Sequence, residues 1–397
     1  MEAFTEYRGP ADYFHGRHGV INSFVRALEH YRTNKRGTTF LIKGAPGSGK
    51  TALLSELSEH AKAVGYTVKD NVKPSDFYSP ASMAETLGVS YTPHKENAFG
   101  FDVKIFRWGQ KTESERQSEV VEIIKKSSSG AGLLLVLDEA QHVAELVGRD
   151  DVTDRAISTL NMLHNGKIGQ PVILLAGGLG TAELAFESLG VSRLEDSCMV
   201  RLGPLDSEST HAIIKDHLVH RCGLEFPPQN WIESLAEPTH GWPHHIICYV
   251  ESAKECLALT NQQPTQIALK HALEVGHKRR VSYYEARAHG ISRKQRHLIA
   301  ELFSDLPSGG TVDKEDILEI MEEQYSEKEA LEVFDRALRQ GVLDEREDGG
   351  FAIPIPSMQR WLVDVHVMGN AIETKKQSPS IQYSHKKDRR GQQGLGR

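Results

Sequence analysis

The octet Gly44-Ala45-Pro46-Gly47-Ser48-Gly49-Lys50-Thr51 constrains this chain more than any other stretch. It follows Thr38-Thr39-Phe40-Leu41-Ile42-Lys43, an apolar, β-branched run with the character of a buried strand. It precedes Ala52-Leu53-Leu54-Ser55-Glu56-Leu57, which has helical periodicity. Strand, G-x-x-x-x-G-K-T and helix in this order make a phosphate-binding P-loop. Its glycines let successive backbone N–H groups converge on phosphate oxygens, and the helix N-terminus adds partial positive charge. In that arrangement Gly44, Ala45, Pro46, Gly47, Ser48 and Gly49 form the cradle, Lys50 reaches the β- and γ-phosphates, and the Thr51 hydroxyl sits on Mg²⁺. ATP and Mg²⁺ are the ligands expected here.

A second stretch supplies the carboxylates such a site needs. Gly132-Leu133-Leu134-Leu135-Val136-Leu137 is continuously apolar and runs into Asp138-Glu139-Ala140-Gln141-His142. An uninterrupted apolar strand suits a parallel sheet covered on both faces, and ligands of such sheets bind at the C-terminal strand edge. Asp138, placed at that edge, is expected to hold Mg²⁺ directly or through water. Glu139 is expected to orient or deprotonate the attacking water. Either carboxylate taken alone would equally serve as an N-cap for the following helix. The two stretches lie 88 positions apart (138 − 50).

Composition sets the outer bounds. The 397 residues suffice for two or three domains, and 39% hydrophobic with 25% charged residues is ordinary for a globular protein. No apolar run approaches the roughly 18–20 residues a membrane span needs, and Met1-Glu2-Ala3-Phe4-Thr5-Glu6 lacks the basic and apolar regions of a secretory signal. Cys198, Cys222, Cys248 and Cys256 have no C-x-x-C spacing, which fits reduced thiols in the cytoplasm. The net charge of −7 means that any nucleic-acid contact must come from a local patch.

The remaining chain divides by pattern. A periodic helix is expected near 21–30, a strand at 66–69, helices at 113–126 and 154–164, a buried strand with a glycine-rich end within 170–181 and a last sheet strand at 199–205. The proline-broken segment 74–111 is read as an insertion on the core. Within it, 101–108 alternates apolar and charged residues like one strand of a hairpin. From Asp206, a plausible N-cap, amphipathic helices at 211–221, 231–235 and 264–278 build a helical lid over 206–290. Residues 277–296 are basic with Tyr283 and Tyr284 interleaved, either a solvated helix or a phosphate-backbone contact. Three helices (294–303, 314–324, 328–340) and a hairpin turning at Asp348-Gly349-Gly350 give the order of a winged helix over 291–368. The acidic first half of its third helix suits protein contact or a lid better than a DNA major groove. Residues 369–397 read as a basic, disordered tail.

Gly16-Arg17, the two nucleotide motifs, Arg193 and Gly241-Trp242-Pro243 occur in the order found in AAA+ and STAND-type P-loop ATPases. The chain resembles their prokaryotic members over about 14–365, and in particular the origin-recognition-like branch. Asp138-Glu139-Ala140-Gln141-His142 is also similar to the DEAQH of transposon target-selection ATPases. The resemblance implies an α/β fold, with a P-loop AAA+ parallel-sheet core over 1–205, the helical lid and the C-terminal winged helix. It also implies that Arg17 lines the adenine site, and that Pro243 and His244 meet the nucleotide where relatives carry a sensor-2 arginine. Arg193 stands where an arginine finger acts in trans, or else pairs at the surface with Glu195 or Asp196. The sensor-1 position offers Ala176, Gly177 and Gly178, with the first hydroxyl at Thr181, so that close backbone approach is an alternative role there.

The function so implied is an ATP-binding and hydrolysing switch, slow or regulated, whose ATP-driven homo-oligomerisation regulates a separate partner protein. Two alternatives stand beside it. One is a DNA-bound ATPase assembly for transposition or replication loading, with DNA held through 277–296 and the tail. The other is a slow nucleotide-state sensor in an anti-phage defence system.

Overall fold

A computed structural model of the protein describes residues 13–92, 113–127, 130–149, 151–165, 168–191, 198–346 and 348–368. The expected strand at 101–108, Arg193, and the tail from 369 lie outside these residues. Helix α1 (His18–Asn34) leads into β1 (Thr38–Gly44), and α2 (Lys50–Ala63) and β2 (Tyr66–Lys69) follow the P-loop. Next come α3 (Pro80–Leu87), α4 (Glu113–Ser127), β3 (Gly132–Leu137), α5 (Asp151–His164), β4 (Val172–Gly178), α6 (Ala182–Ser188) and β5 (Met199–Leu202). The five strands form one parallel sheet in the order β2-β3-β4-β1-β5. The fold is thus the expected α/β P-loop core. The last strand stops at Leu202, shorter than expected, because Gly203-Pro204 breaks it.

β1 sits inside the sheet, and every one of its residues is buried. Alternate side chains enter opposite layers: Phe40 and Ile42 pack with Phe24, Leu53 and Leu57 on one face, and Leu41 packs with Phe77, Leu160 and Phe186 on the other. That is why the run is apolar at every position rather than at every second one. The described part of the supposed insertion belongs to this second layer. Residues 74–77 form a 3₁₀ turn, and Phe77, Met83 and Leu87 are core residues. Buried Asp76 ties the turn by accepting from the Ser82 and Thr86 hydroxyls and the Lys73 N–H.

Beyond the sheet, α7 (Ser207–Asp216) is capped by Asp206, which accepts from the Ser209 N–H at 2.7 Å. With α8 (Gln229–Ala236), α9 (Pro243–Leu259) and α10 (Gln266–Arg287) it encloses its own core around Trp231, Tyr249 and Leu257. α10 is longer than the sequence pattern suggested, because its charged last turns still bury Tyr283 and Tyr284. A third core, around Phe303, Phe334 and Met358, joins α11 (Arg293–Leu302), α12 (Lys314–Glu322), α13 (Glu327–Arg339), the hairpin β6 (Asp344–Glu345) and β7 (Phe351–Ala352), and α14 (Pro356–Leu362). Three helices followed by a hairpin is the expected order. This core also takes in Ala45 of the P-loop and Trp242 of the helical unit, so the C-terminal unit packs directly against the phosphate loop.

Candidate nucleotide site

β1, β3 and β4 run parallel, so their C-terminal ends emerge at one sheet edge, which brings the P-loop, Asp138 and the Gly177-Gly178 corner together. They open into a cleft of 1510 Å³ that is also lined by Arg17, Pro243, His244 and α13. Gly47 and Gly49 have φ of +72° and +91°, a left-handed backbone that only glycine adopts without strain. A Cβ on Gly47 would lie 2.7 Å from the His244 Cβ and 2.8 Å from the Tyr283 hydroxyl.

Lys50 folds back onto its own loop and donates to the carbonyls of Gly44 at 2.9 Å and Ala45 at 3.3 Å. Burial pushes its ammonium below the usual lysine range, while Glu139 and Asp138 act the other way. The Thr51 hydroxyl donates to Asp138 Oδ2 at 2.7 Å, so the two residues expected to share Mg²⁺ already touch. The buried Ser48 hydroxyl has no partner among the described residues. Helix α2 has no side-chain cap, which leaves its first N–H groups to a ligand. This donor set fits a nucleotide phosphate with Mg²⁺ held by Thr51 and Asp138. Among the described residues no group of three or more His, Cys, Asp and Glu could hold a metal ion.

Glu139 is exposed at the cleft with φ +54°, a left-handed conformation uncommon for a glutamate. Its N–H donates to Asp138 Oδ1 at 2.9 Å. Gln141 donates to Glu139 Oε2 at 2.5 Å and accepts from the Leu179 N–H at 3.1 Å, linking the carboxylate to the end of β4. A Cβ on Gly178 would approach the same Gln141 Oε1 to 3.0 Å and the Ala182 Cβ to 2.6 Å. The glycines therefore admit close neighbours, and Gln141 supplies the polar atom that the end of β4 lacks. Thr181 lines the cleft at the start of α6.

At the other end of the cleft Arg17 is half-buried, adopts φ +61° and donates to the Gly203 carbonyl. The neighbouring Gly16 turn is packed on Ser209 and Leu205. Pro243 starts α9, and the His244 N–H donates to the Gly47 carbonyl at 3.1 Å. The His244 ring stacks on Tyr283 with centroids 4.1 Å apart. The adjacent His245 has a different fate: it is fully buried, with its two ring nitrogens 3.2 Å from the Thr239 carbonyl and 3.2 Å from the Tyr284 hydroxyl.

Four residues at the cleft were not singled out as site residues by sequence reasoning. Gln141 was visible only as part of a motif. Tyr283, whose hydroxyl donates to the Pro46 carbonyl at 2.7 Å, and the cleft-lining Arg287 and Arg339 come from helices more than 230 positions beyond the P-loop. Tyr283 and Arg287 lie in the basic stretch 277–296, whose pattern does not assign them to this cleft, and no local pattern marks Arg339. The basic stretch in which Arg287 lies is largely engaged within the fold. Arg279 pairs with Glu255 at 2.5 Å, Arg280 donates to the Pro238 carbonyl, and Arg296 donates to the carbonyls of Ile291 and Ala288.

Comparison with known proteins agrees with this construction. Residues 33–183 match the AAA domain family, a span that holds both nucleotide motifs. Over the whole chain the fold is similar to that of the Aeropyrum pernix ORC2 protein. In its ADPNP–ADP complexes that protein aligns at 15% identity over 94% of this chain and 97% of the other, with a TM-score of 0.51. In its ADP form the values are 14%, 94%, 98% and 0.50. No curated protein sequence matches the chain. The chain thus carries an AAA domain over 33–183, and its fold is similar to that of the ORC2 protein. Among the described residues no helix is long and apolar enough to cross a membrane.

Proposed function

We propose that the protein binds and hydrolyses ATP as a molecular switch, with homo-oligomerisation on ATP binding that regulates a separate partner protein. The observation that carries this reading is the convergence of the phosphate loop, the Asp138-Glu139 pair and the C-terminal unit on one cleft. In it, Lys50 and the N-terminus of α2 bind the phosphates, and Thr51 and Asp138 hold Mg²⁺. Bound Mg²⁺ supplies neutralisation of phosphate charge. Glu139, held by Gln141, accepts the proton of the attacking water. Arg17, Pro243 and His244 border the remainder of the nucleotide. Arg193 acts from a neighbouring subunit.

Two variants test this. Lys50→Ala is expected to abolish ATP binding in calorimetry. Glu139→Gln is expected to preserve binding and to slow hydrolysis by about a hundredfold or more. Hydrolysis by Glu139→Gln at the wild-type rate would remove Glu139 from the role of base.

The origin-recognition-like fold favours a second reading, an ATPase assembly on DNA. Measuring particle mass with ATP, with duplex DNA and with both separates the two. Assembly that needs ATP alone fits the switch, and assembly that needs both fits the DNA-bound machine.

A further inference from the structure

Glu139 is held at three points. Its backbone lies in the left-handed region at φ +54°, its N–H donates to Asp138 Oδ1 at 2.9 Å, and its Oε2 accepts from Gln141 Nε2 at 2.5 Å. Of the three, only the last acts on the carboxylate itself. A glutamate side chain exposed at a cleft otherwise spreads over several rotamers. Gln141 stands in the 3₁₀ turn 140–146 that follows Glu139, and its amide has one orientation open to it. Its Oε1 accepts from the Leu179 N–H at 3.1 Å, so its nitrogen must face the carboxylate. The amide also fills the corner left by Gly178, where a Cβ would come within 3.0 Å of Gln141 Oε1.

The same corner is braced from the C-terminal unit. Leu179-Gly180-Thr181 joins β4 to α6, and the Leu179 carbonyl accepts from the Ala182 N–H at 2.9 Å. Gly180 is buried, and Asp344 of β6 leans on it so closely that a Cβ there would lie 2.1 Å from Asp344 Oδ1. Asp344 in turn is fixed to Arg201 of β5 at 2.6 Å. One tripeptide thus carries, on adjacent residues, the N–H that aims Gln141 and the surface that receives the C-terminal hairpin. The printed side-chain bonds of Lys50 and Thr51 go to Gly44, Ala45 and Asp138, so the phosphate cradle does not lean on Gln141.

We propose that Gln141 is a positioning residue for hydrolysis, and that through it the aim of Glu139 depends on the C-terminal unit being docked at Gly180. This rests on the reading of Glu139 as the base that activates water. With the unit docked, the Leu179 N–H is held in place and Gln141 keeps Glu139 Oε2 occupied, which leaves Oε1 for the proton of the attacking water. With the unit released, Gly180 loses its brace, the corner relaxes and the carboxylate turns without restraint. The docked and released unit is the two-state element that such coupling requires. Loss of Gln141 therefore acts on turnover and not on nucleotide affinity.

The test measures kcat for ATP, and the Kd of a non-hydrolysable ATP analogue with Mg²⁺, on the full chain. Gln141→Met keeps the length and removes the amide; kcat is expected to fall by about tenfold or more, with Kd within about twofold of wild type. Gln141→Glu keeps the shape and the acceptor for the Leu179 N–H but does not donate to Glu139, and it is expected to lose at least as much. Wild-type kcat in either variant overturns the positioning role. Gly180→Ala displaces Asp344 from the corner and is expected to lower kcat severalfold alone while adding little to Gln141→Met. Asp344→Asn, which weakens the same brace without adding an atom to the corner, is compared in the same way where Gly180→Ala does not fold. Losses that multiply in the double variants overturn the link to the C-terminal unit. Wild-type turnover in Glu139→Gln removes the base itself and the proposal with it, an outcome distinct from the other two.

Discussion

Removal of the Asp344 carboxylate should release the C-terminal unit from the sheet. Asp344 opens β6 and pairs with Arg201 of β5 at 2.6 Å; the side chains are 8% and 19% exposed. Arg201 also donates to the Glu345 carbonyl at 2.7 Å, and its Nε has no partner among the described residues. Gly180 leaves room for the carboxylate, since a Cβ there would lie 2.1 Å from Asp344 Oδ1. In Asp344→Ala the guanidinium stays largely buried with one carbonyl acceptor. Breaking a buried pair from one side costs about 3–5 kcal/mol, and the partial exposure of Arg201 places this pair near about 3 kcal/mol. At about 1.4 kcal/mol per decade, the docking equilibrium shifts by roughly two powers of ten. The assay is a double-mutant cycle of Asp344→Ala and Arg201→Met, measured on the first urea transition of the four proteins. A coupling of about 2 kcal/mol is expected, because each partner loses most of its value without the other. A coupling below about 0.5 kcal/mol would refute the claim that this pair clamps the two units.

Further predictions concern the same junction and the helical unit. Gly341→Val combines a φ of +67° with the approach to Pro46, and should lower stability by about 2 kcal/mol or more, read as an earlier first urea transition. Tyr283→Phe removes one hydrogen bond to the Pro46 carbonyl and should cost about 1 kcal/mol, measured in the same way. Acid should weaken the fold through His245, whose ionisation burial pushes down to about 3 from the ordinary 6.5. The unfolded chain takes up that proton first, so the stability contributed by neutral His245 is complete above about pH 6.5 and declines as pH falls toward about 3. The urea midpoint should therefore drop between about pH 6.5 and 5. His245→Gln should flatten that slope, and an unchanged slope would count against the buried neutral imidazole.

Those parts of the fold that depend on local pattern were legible in the sequence. The P-loop could be read because its glycines and its lysine act within eight consecutive residues, and β3 because its unbroken apolar run reports burial on both faces. The Asp206 cap and the D-G-G hairpin were legible for the same reason. Segment 74–87 was not, since its prolines made it read as part of an insertion on the core, whereas Asp76 closes a compact turn through the hydroxyls of Ser82 and Thr86. The cleft was only half legible. Arg287, Arg339 and Asp344 gain their meaning from docking between units, and nothing in the neighbouring residues records it. His244 and His245 look alike in sequence, yet one stacks at the cleft and the other is enclosed, because consecutive helical positions point about 100° apart.

The strand order has a consequence for how the protein is made. β1 ends at Gly44, but its neighbours on the two sides are β4, beginning at Val172, and β5, ending at Leu202. A growing chain thus carries its phosphate loop through more than a hundred residues of synthesis with neither flank of β1 paired. The ribosome must deliver about half of the chain before the cradle has walls, and during that interval an apolar strand with open hydrogen-bonding edges is exposed to other chains. Under the proposed function, a nucleotide that binds the assembled cradle stabilises the finished core and not the earlier chain. Biogenesis should accordingly depend on holding chaperones up to the emergence of β5, and on nucleotide thereafter.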